Sequence, residues 1–189
     1  QPDKYIKLLQ LTREVQDSVK DIHAKIIRQR QIKSSVFSLN ELLEQEIHFL
    51  KSDSFFRQQV RSVLKTVPEI PRCQLFYGCL SGIVSEFYYY LQRFTISDNQ
   101  YLLQAETFLE RDRQGIHLNF LGDYQVPPDL QLRFPVEVEG DAGRIALQQV
   151  EGLDTIYLKF CLSKLSGELH IVLRKDMMKL RLTLPCPEK

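Results

Sequence analysis

GLDTIYLKFCLSKLSGELHI, residues Gly152 to Ile171, followed by KLRLTLP, Lys179 to Pro185, is the stretch that decides the fold. Its first half reads as a helix from about Leu153 to Leu165, ended by Ser166-Gly167, a pair that stops helices because glycine turns the chain without a Cβ penalty. Its second half reads as two strands, Glu168 to Leu173 and Lys179 to Leu184, joined by a turn around Lys175-Asp176. A helix feeding directly into antiparallel strands belongs to an α+β architecture.

Working backwards, Val126 to Gly143 is rich in proline, glycine and acid and reads as an irregular, lid-like loop. Before it, Leu103 to Glu110 alternates imperfectly, Asp112 to Gly115 forms a turn, and Ile116 to Phe120 alternates cleanly, the pattern of a hairpin. From Gly78 to about Arg93 the apolar residues Leu80, Ile83, Val84, Phe87, Tyr88 and Leu91 keep helical spacing. A loop at Thr66 to Pro71 separates that helix from a strand at Gln59 to Leu64. Further upstream, Val36 to Asn40 reads as a short strand followed by a helix that opens near Ser38 or Asn40 and carries Leu42, Leu43, Ile47 and Leu50. Ser38 and Glu41 stand three apart, the spacing of a capping box. The whole predicts a two-layer α/β sandwich spanning residues 35–189, with one mixed sheet covered by helices.

Residues 1–34 differ in kind. Leu8, Leu11, Val15, Val19, Ile22 and Ile26 recur at steps of three and four, with Lys7, Arg13, Glu14, Asp17, Lys20 and Lys25 between them. A helix of about 30 residues would be roughly 45 Å long. One such helix cannot cover its own apolar stripe, so a partner helix is expected, either from sequence beyond these residues or from a second subunit, and a homodimer through residues 1–34 is the natural arrangement.

The composition excludes several functions. The chain has 189 residues, 43% hydrophobic and 26% charged, so a disordered or low-complexity reading falls away. A net charge of +1 supports neither a general nucleic-acid surface nor an anionic-membrane surface. No apolar run is long enough to span a bilayer, and the expected compartment is the cytoplasm. Cys73, Cys79, Cys161 and Cys186 show no metal-binding spacing and read as small buried hydrophobes. The acidic run Glu137, Glu139, Asp141 reads as solvated loop, and no metal site is expected. Arg28, Arg30 and Lys33 suit the C-terminal end of a helix dipole. Tyr88-Tyr89-Tyr90 with Phe87 and Phe94 reads as core filling, since Arg93 is the one cation close by. No Gly-x-Ser-x-Gly elbow is present for a nucleophilic triad.

These strings in this order resemble the C-terminal region of sensor histidine kinases: the second dimerisation helix followed by the ATP-binding domain. Tyr5 to Arg30 is similar to the dimerisation arm. FSLNELLEQEIHFLKSDSFF, Phe37 to Phe56, is similar to the entry to the ATP-binding domain, especially in cyanobacterial members. LRFPVEVEG, Leu132 to Gly140, sits where the family has its phenylalanine-containing lid. The final helix and strands resemble the family's second glycine box, its helix and its terminal strands.

The resemblance implies an ATP site, and the residues at its positions disagree with that chemistry. The family's Mg²⁺-holding asparagine and its partner one turn earlier correspond to Tyr89 and Arg93. Neither suits a cation that requires hard oxygen ligands. In the first glycine box, Phe120 stands in place of the adenine-binding carboxylate and only Gly122 remains. In the second, Gly152 is retained, but Asp154 puts a negative charge where a triphosphate would meet the helix start. The only histidine of the long helix, His23, lacks the acid and proline that follow the family's phosphoacceptor. The resemblance therefore implies a degenerate, pseudokinase-like signalling module with no ATP or Mg²⁺ cofactor expected, and a response regulator or another signalling protein as partner. Two alternatives stand beside it. One is a divergent ATP-dependent kinase in which Arg93 and Asp123 take over nucleotide contacts. The other is an ATP-independent phosphotransferase using His23.

Overall fold

The computed structural model describes residues 34–125, 130–134 and 152–186, together with four helical positions in the N-terminal segment, Lys4, Lys7, Thr12 and Val19. His23, most of the 1–34 arm and the acidic run at 137–141 lie outside the described residues.

Among the described residues from 34 onward, eight strands and four helices follow one another: β1 (Ser35–Phe37), α1 (Leu39–Leu50), α2 (Ser54–Gln59), β2 (Val60–Lys65), β3 (Cys73–Leu75), α3 (Tyr77–Gln92), β4 (Tyr101–Glu110), β5 (Arg113–Leu121), β6 (Leu130–Phe134), α4 (Thr155–Leu165), β7 (Glu168–Leu173) and β8 (Met177–Pro185). Six strands form one mixed sheet in the order β2-β4-β5-β8-β7-β6, while β1 and β3 pair separately. Only β2 and β4 run parallel; the other neighbours in the large sheet are antiparallel. The architecture is the expected α+β sandwich.

Strand alternation explains why the sheet has one wet and one dry face. Leu103, Ala105, Ile116, Leu118, Phe120, Leu180, Leu182 and Ile171 are all at most 2% exposed and face the helices. The helices answer with Leu39, Leu42, Leu43, Leu80, Ile83, Phe87, Leu91 and Leu158, buried to the same degree. On the opposite face the register aligns Lys65, Glu106, His117, Arg181 and His170 across five strands.

Local signals set the element ends. The Ser38–Glu41 capping box is complete: Ser38 Oγ accepts from Glu41 N–H at 3.2 Å, and Glu41 Oε2 accepts from Ser38 N–H at 2.9 Å. α4 ends where Ser166 adopts a left-handed conformation, φ 49°, and Gly167 N–H returns to Leu162 O.

Several expectations need correction. The stretch expected to be irregular between Val126 and Gly143 contains β6, which pairs with β7 from Leu130↔Leu173 to Phe134↔Leu169. Leu130, Leu132 and Phe134 supply a two-residue period that the surrounding prolines obscured. The hairpin turn is tighter than Asp112 to Gly115: β4 ends at Glu110, β5 begins at Arg113, and Arg111 takes the left-handed conformation, φ 50°. Helix α2 and strand β3 were not anticipated.

Candidate functional site

The final helix starts at a loop whose conformation requires glycine. Gly152 has φ +86°, and the Arg93 side chain lies against its α-carbon so closely that a Cβ would overlap the guanidinium. Arg93 caps the C-terminus of α3, so these two residues join the end of one helix to the entry of another. Asp154 is the N-cap of α4, and its Oδ1 accepts from Tyr157 N–H at 2.9 Å. The Asp154 N–H donates to Glu86 Oε2 on α3 at 3.4 Å. Two carboxylates thus take up N–H groups at the start of α4. That is the place where an anion-binding helix would leave donors free.

One turn further on, Tyr157 reaches back across the interface. Its hydroxyl donates to Gly78 O at 3.4 Å, and its ring lies over Gly82. A Cβ there would overlap the hydroxyl, with Cζ at 2.7 Å and Cε1 at 2.8 Å. Gly82 therefore makes room for the tyrosine where α3 packs against α4. Burial foremost, then Cys161, raises the Tyr157 pKa, keeping the phenol neutral.

The second part of the candidate site is the turn after β5. Phe120 is 1% exposed and packs against Phe87 and Tyr88, with ring centroids at 6.1 and 6.3 Å. It belongs to the hydrophobic core. Gly122, φ +154°, carries the Tyr101 ring against its α-carbon, with Cε1 2.9 Å from where a Cβ would stand. The loop beyond is tied down by its backbone: Gly122 N–H to Asp176 O at 3.2 Å, Tyr124 N–H to Lys175 O at 2.8 Å, and Gln125 N–H to Phe94 O at 2.8 Å. Tyr101 Oη adds a bond to Asp123 O at 3.2 Å. Asp123's backbone is thus part of this closed turn.

Of the residues singled out from the sequence, the structure brings Arg93, Gly152 and Asp154 together. Phe120 and Gly122 lie near one another at the end of β5, the first in the core and the second under Tyr101. Tyr89 joins neither group. It is 55% exposed and makes its ring contact with Tyr88, at 5.6 Å, while Tyr88 and Tyr90 are buried. The aromatic run is therefore two core tyrosines flanking an exposed one. Glu86 and Tyr157 were missed. Glu86 sits one helical turn after Gly82, and that spacing placed it on the face of α3 that meets α4.

Another polar cluster holds the helix layer together. Asp53 caps α2 by accepting from Phe56 N–H at 3.0 Å, and the same oxygen accepts from Tyr88 Oη at 2.8 Å. Burial first, then this bond, raises the Tyr88 pKa. Tyr77 Oη donates to Glu46 at 2.8 Å inside the core. Among the described residues, no three His, Cys, Asp or Glu side chains are placed to hold a metal ion, and no helix is long and apolar enough to cross a membrane.

No family model and no curated protein matches the sequence. Solved structures do match the fold. Histidine kinase AdeS of Acinetobacter baumannii aligns over 98% of this chain and 84% of its own, with TM-score 0.56 and 8% identity. The histidine kinase domain of the Escherichia coli osmosensor EnvZ covers 85% and 93%, with TM-score 0.52 and 14% identity. The histidine kinase domain of a blue-light-activated kinase from Erythrobacter litoralis covers 96% and 86%, with TM-score 0.53 and 11% identity. The chain has the fold of histidine kinase catalytic domains.

Proposed function

We propose that this chain is a degenerate histidine-kinase-like module that signals by dimerisation and protein–protein contact, its nucleotide site having been lost. The observation that carries the reading is the start of α4, where Asp154 and Glu86 accept two of the N–H groups that a phosphate would approach. Bringing a triphosphate to those two carboxylates would be repulsive and would first require breaking their hydrogen bonds. Phe120 strengthens the case from the other end. At the position where the fold's adenine acceptor is expected, it offers no oxygen, and its ring is part of the core. An amino group buried there without an acceptor would cost about 1–3 kcal/mol. Mg·ATP does not fit these residues, and no phosphoryl-transfer step is assigned to them.

The residues that replace the site do mechanical work instead. Arg93 on Gly152, Glu86 on Asp154 and Tyr157 on Gly82 lock α3 to α4, making the domain a rigid body for a partner to bind. The N-terminal arm supplies the second element. Val19, on its apolar stripe, is 59% exposed, as an uncovered dimerisation face would leave it. A response regulator or another cytoplasmic signalling protein is the partner class.

The test is incubation of the purified chain with Mg²⁺ and γ-labelled ATP, alone and with a separately supplied phosphoacceptor hairpin. The expected result is neither label on protein nor ATP hydrolysis above the blank. Transfer of label would overturn the proposal in favour of a divergent kinase.

A further inference from the structure

Two cysteines far apart in sequence meet at the α3–α4 interface. Cys79 lies in the first turn of α3 and is partly accessible, while Cys161 lies in the second turn of α4 and is fully buried. Tyr157, one turn before Cys161, already touches Gly78 and Gly82 on either side of Cys79. With Asp154 on Glu86 and Tyr157 on Gly82 and Gly78, the two helices run antiparallel, and Cys161, one turn beyond Tyr157, faces the first turn of α3 that carries Cys79; each thiol accordingly shifts the titration of the other.

The pair is chemically unequal. Cys79 stands at a helix N-terminus whose N-cap, Phe76, makes no side-chain capping bond. The positive end of that dipole is left to act on the thiol. Contact with Cys161 lowers the Cys79 pKa most, and the Lys164 ammonium adds to the effect, with burial opposing both. Cys161 moves the other way, held protonated by its contact with Cys79 and by burial. A partly accessible, more acidic thiol thus lies beside a protected one, the arrangement of an attacking and a resolving cysteine. Cys73 and Cys186 lack it. Cys73 is buried and accepts from Gln114, and burial pushes the Cys186 thiol up.

We propose that Cys79 and Cys161 form a dithiol site oxidised by hydrogen peroxide to a disulfide that locks α3 to α4. The Cys79 thiolate attacks one peroxide oxygen, the O–O bond breaks, and the departing hydroxide takes a proton to become water. Cys79 is left as a sulfenic acid. The Cys161 sulfur then attacks the Cys79 sulfur, the S–O bond breaks, and the departing hydroxide takes the Cys161 proton as a second water. The two thiols together lose two electrons and the peroxide gains them. The bridge fastens the first turn of α3 to the second turn of α4, so the contact between Gly82 and Tyr157 can no longer open.

The folded 189-residue chain, treated with hydrogen peroxide, alkylated and digested, provides the test. Mass spectrometry should find a peptide linking Cys79 to Cys161, lighter by two hydrogens and separated by dithiothreitol. In the unoxidised protein, Cys79 should alkylate at neutral pH at least about tenfold faster than Cys186. Cys161→Ser should stop the reaction at a sulfenic acid on Cys79, trapped by dimedone, and Cys79→Ser should leave Cys161 reduced. The proposal is overturned if both thiols of the wild-type chain alkylate fully after peroxide. It is equally overturned if either is found bridged to another cysteine instead, or if Cys161 oxidises unchanged in Cys79→Ser. The peptide map of the unsubstituted protein decides the matter even where a variant folds poorly.

Discussion

Replacing Gly82 by alanine isolates the contact that closes the α3–α4 interface. In an unobstructed helix interior, alanine is better than glycine by about 1 kcal/mol, because glycine surrenders more backbone entropy. At residue 82 the new methyl group would enter the space of the Tyr157 hydroxyl, with Cζ and Cε1 at 2.7 and 2.8 Å. The ring must withdraw by more than an ångström. It would lose its hydrogen bond to Gly78 O, worth about 1 kcal/mol, and roughly another 1 kcal/mol of apolar contact from a half-buried ring. The losses outweigh the propensity gain, so Gly82→Ala should destabilise the domain by about 1 kcal/mol, or about 2–4 °C in Tm. With Tyr157→Ala as background the obstacle is gone, and the same change should stabilise by about 1 kcal/mol. The double-mutant cycle, read by urea and thermal melts, should return a coupling of about 2 kcal/mol. Equal stabilisation by Gly82→Ala in both backgrounds would show that Tyr157 does not occupy the interface.

Other substitutions probe the remaining parts. Phe120→Ala should cost about 3–5 kcal/mol in chemical denaturation, the range for a buried phenylalanine, and should confer no nucleotide binding; a loss under 1 kcal/mol would place the ring outside the core. Asp53→Ala removes the α2 cap and the Tyr88 acceptor together and should cost about 1–2 kcal/mol, whereas an unchanged denaturation midpoint would show that the cluster does not hold the helix layer. His117 stacks on Phe108 at 4.6 Å, and its pKa is lowered by burial first, then by Arg181 and Lys179, against the opposite pull of Glu106 and Glu110. The unfolded chain therefore takes up this proton more readily, so the stabilising contribution is present above the ordinary 6.5 and declines as pH falls below it. His117→Gln should flatten that decline in melts between pH 7 and pH 5, and an unaltered slope would refute the assignment. Val15→Asp on the apolar stripe of the arm should shift sedimentation from dimer toward monomer; a monomeric parent chain would end the dimer proposal.

Much of the fold was legible because local chemistry and global pattern agree. The Ser38–Glu41 box brought the start of α1 to within two residues, Ser38 or Asn40, and the two reciprocal bonds put the cap at Ser38. The strand read at Gln59 to Leu64 is β2, displaced by one residue. The missed elements are those whose stability is tertiary. Helix α2 has six residues, too few for periodicity, and is held by the Asp53 cap and by burial of Phe56. Strand β3 has three residues and exists through its pairing with β1. At the candidate site, Phe120, Gly152 and Asp154 were visible as residue types. Tyr89 was misplaced because its two tyrosine neighbours, a helical step to either side, hold the buried positions. Glu86 and Tyr157 carry no motif; only the packing of α3 against α4 makes them partners.

The central claim is that the nucleotide site has been filled by the protein's own side chains. Titration calorimetry of the 189-residue chain with Mg·ATP and with Mg·ADP tests it most directly. A filled site should give no saturable heat up to about 1 mM nucleotide, weaker than about −4 kcal/mol of binding. A saturating isotherm with a micromolar Kd for either nucleotide would contradict it.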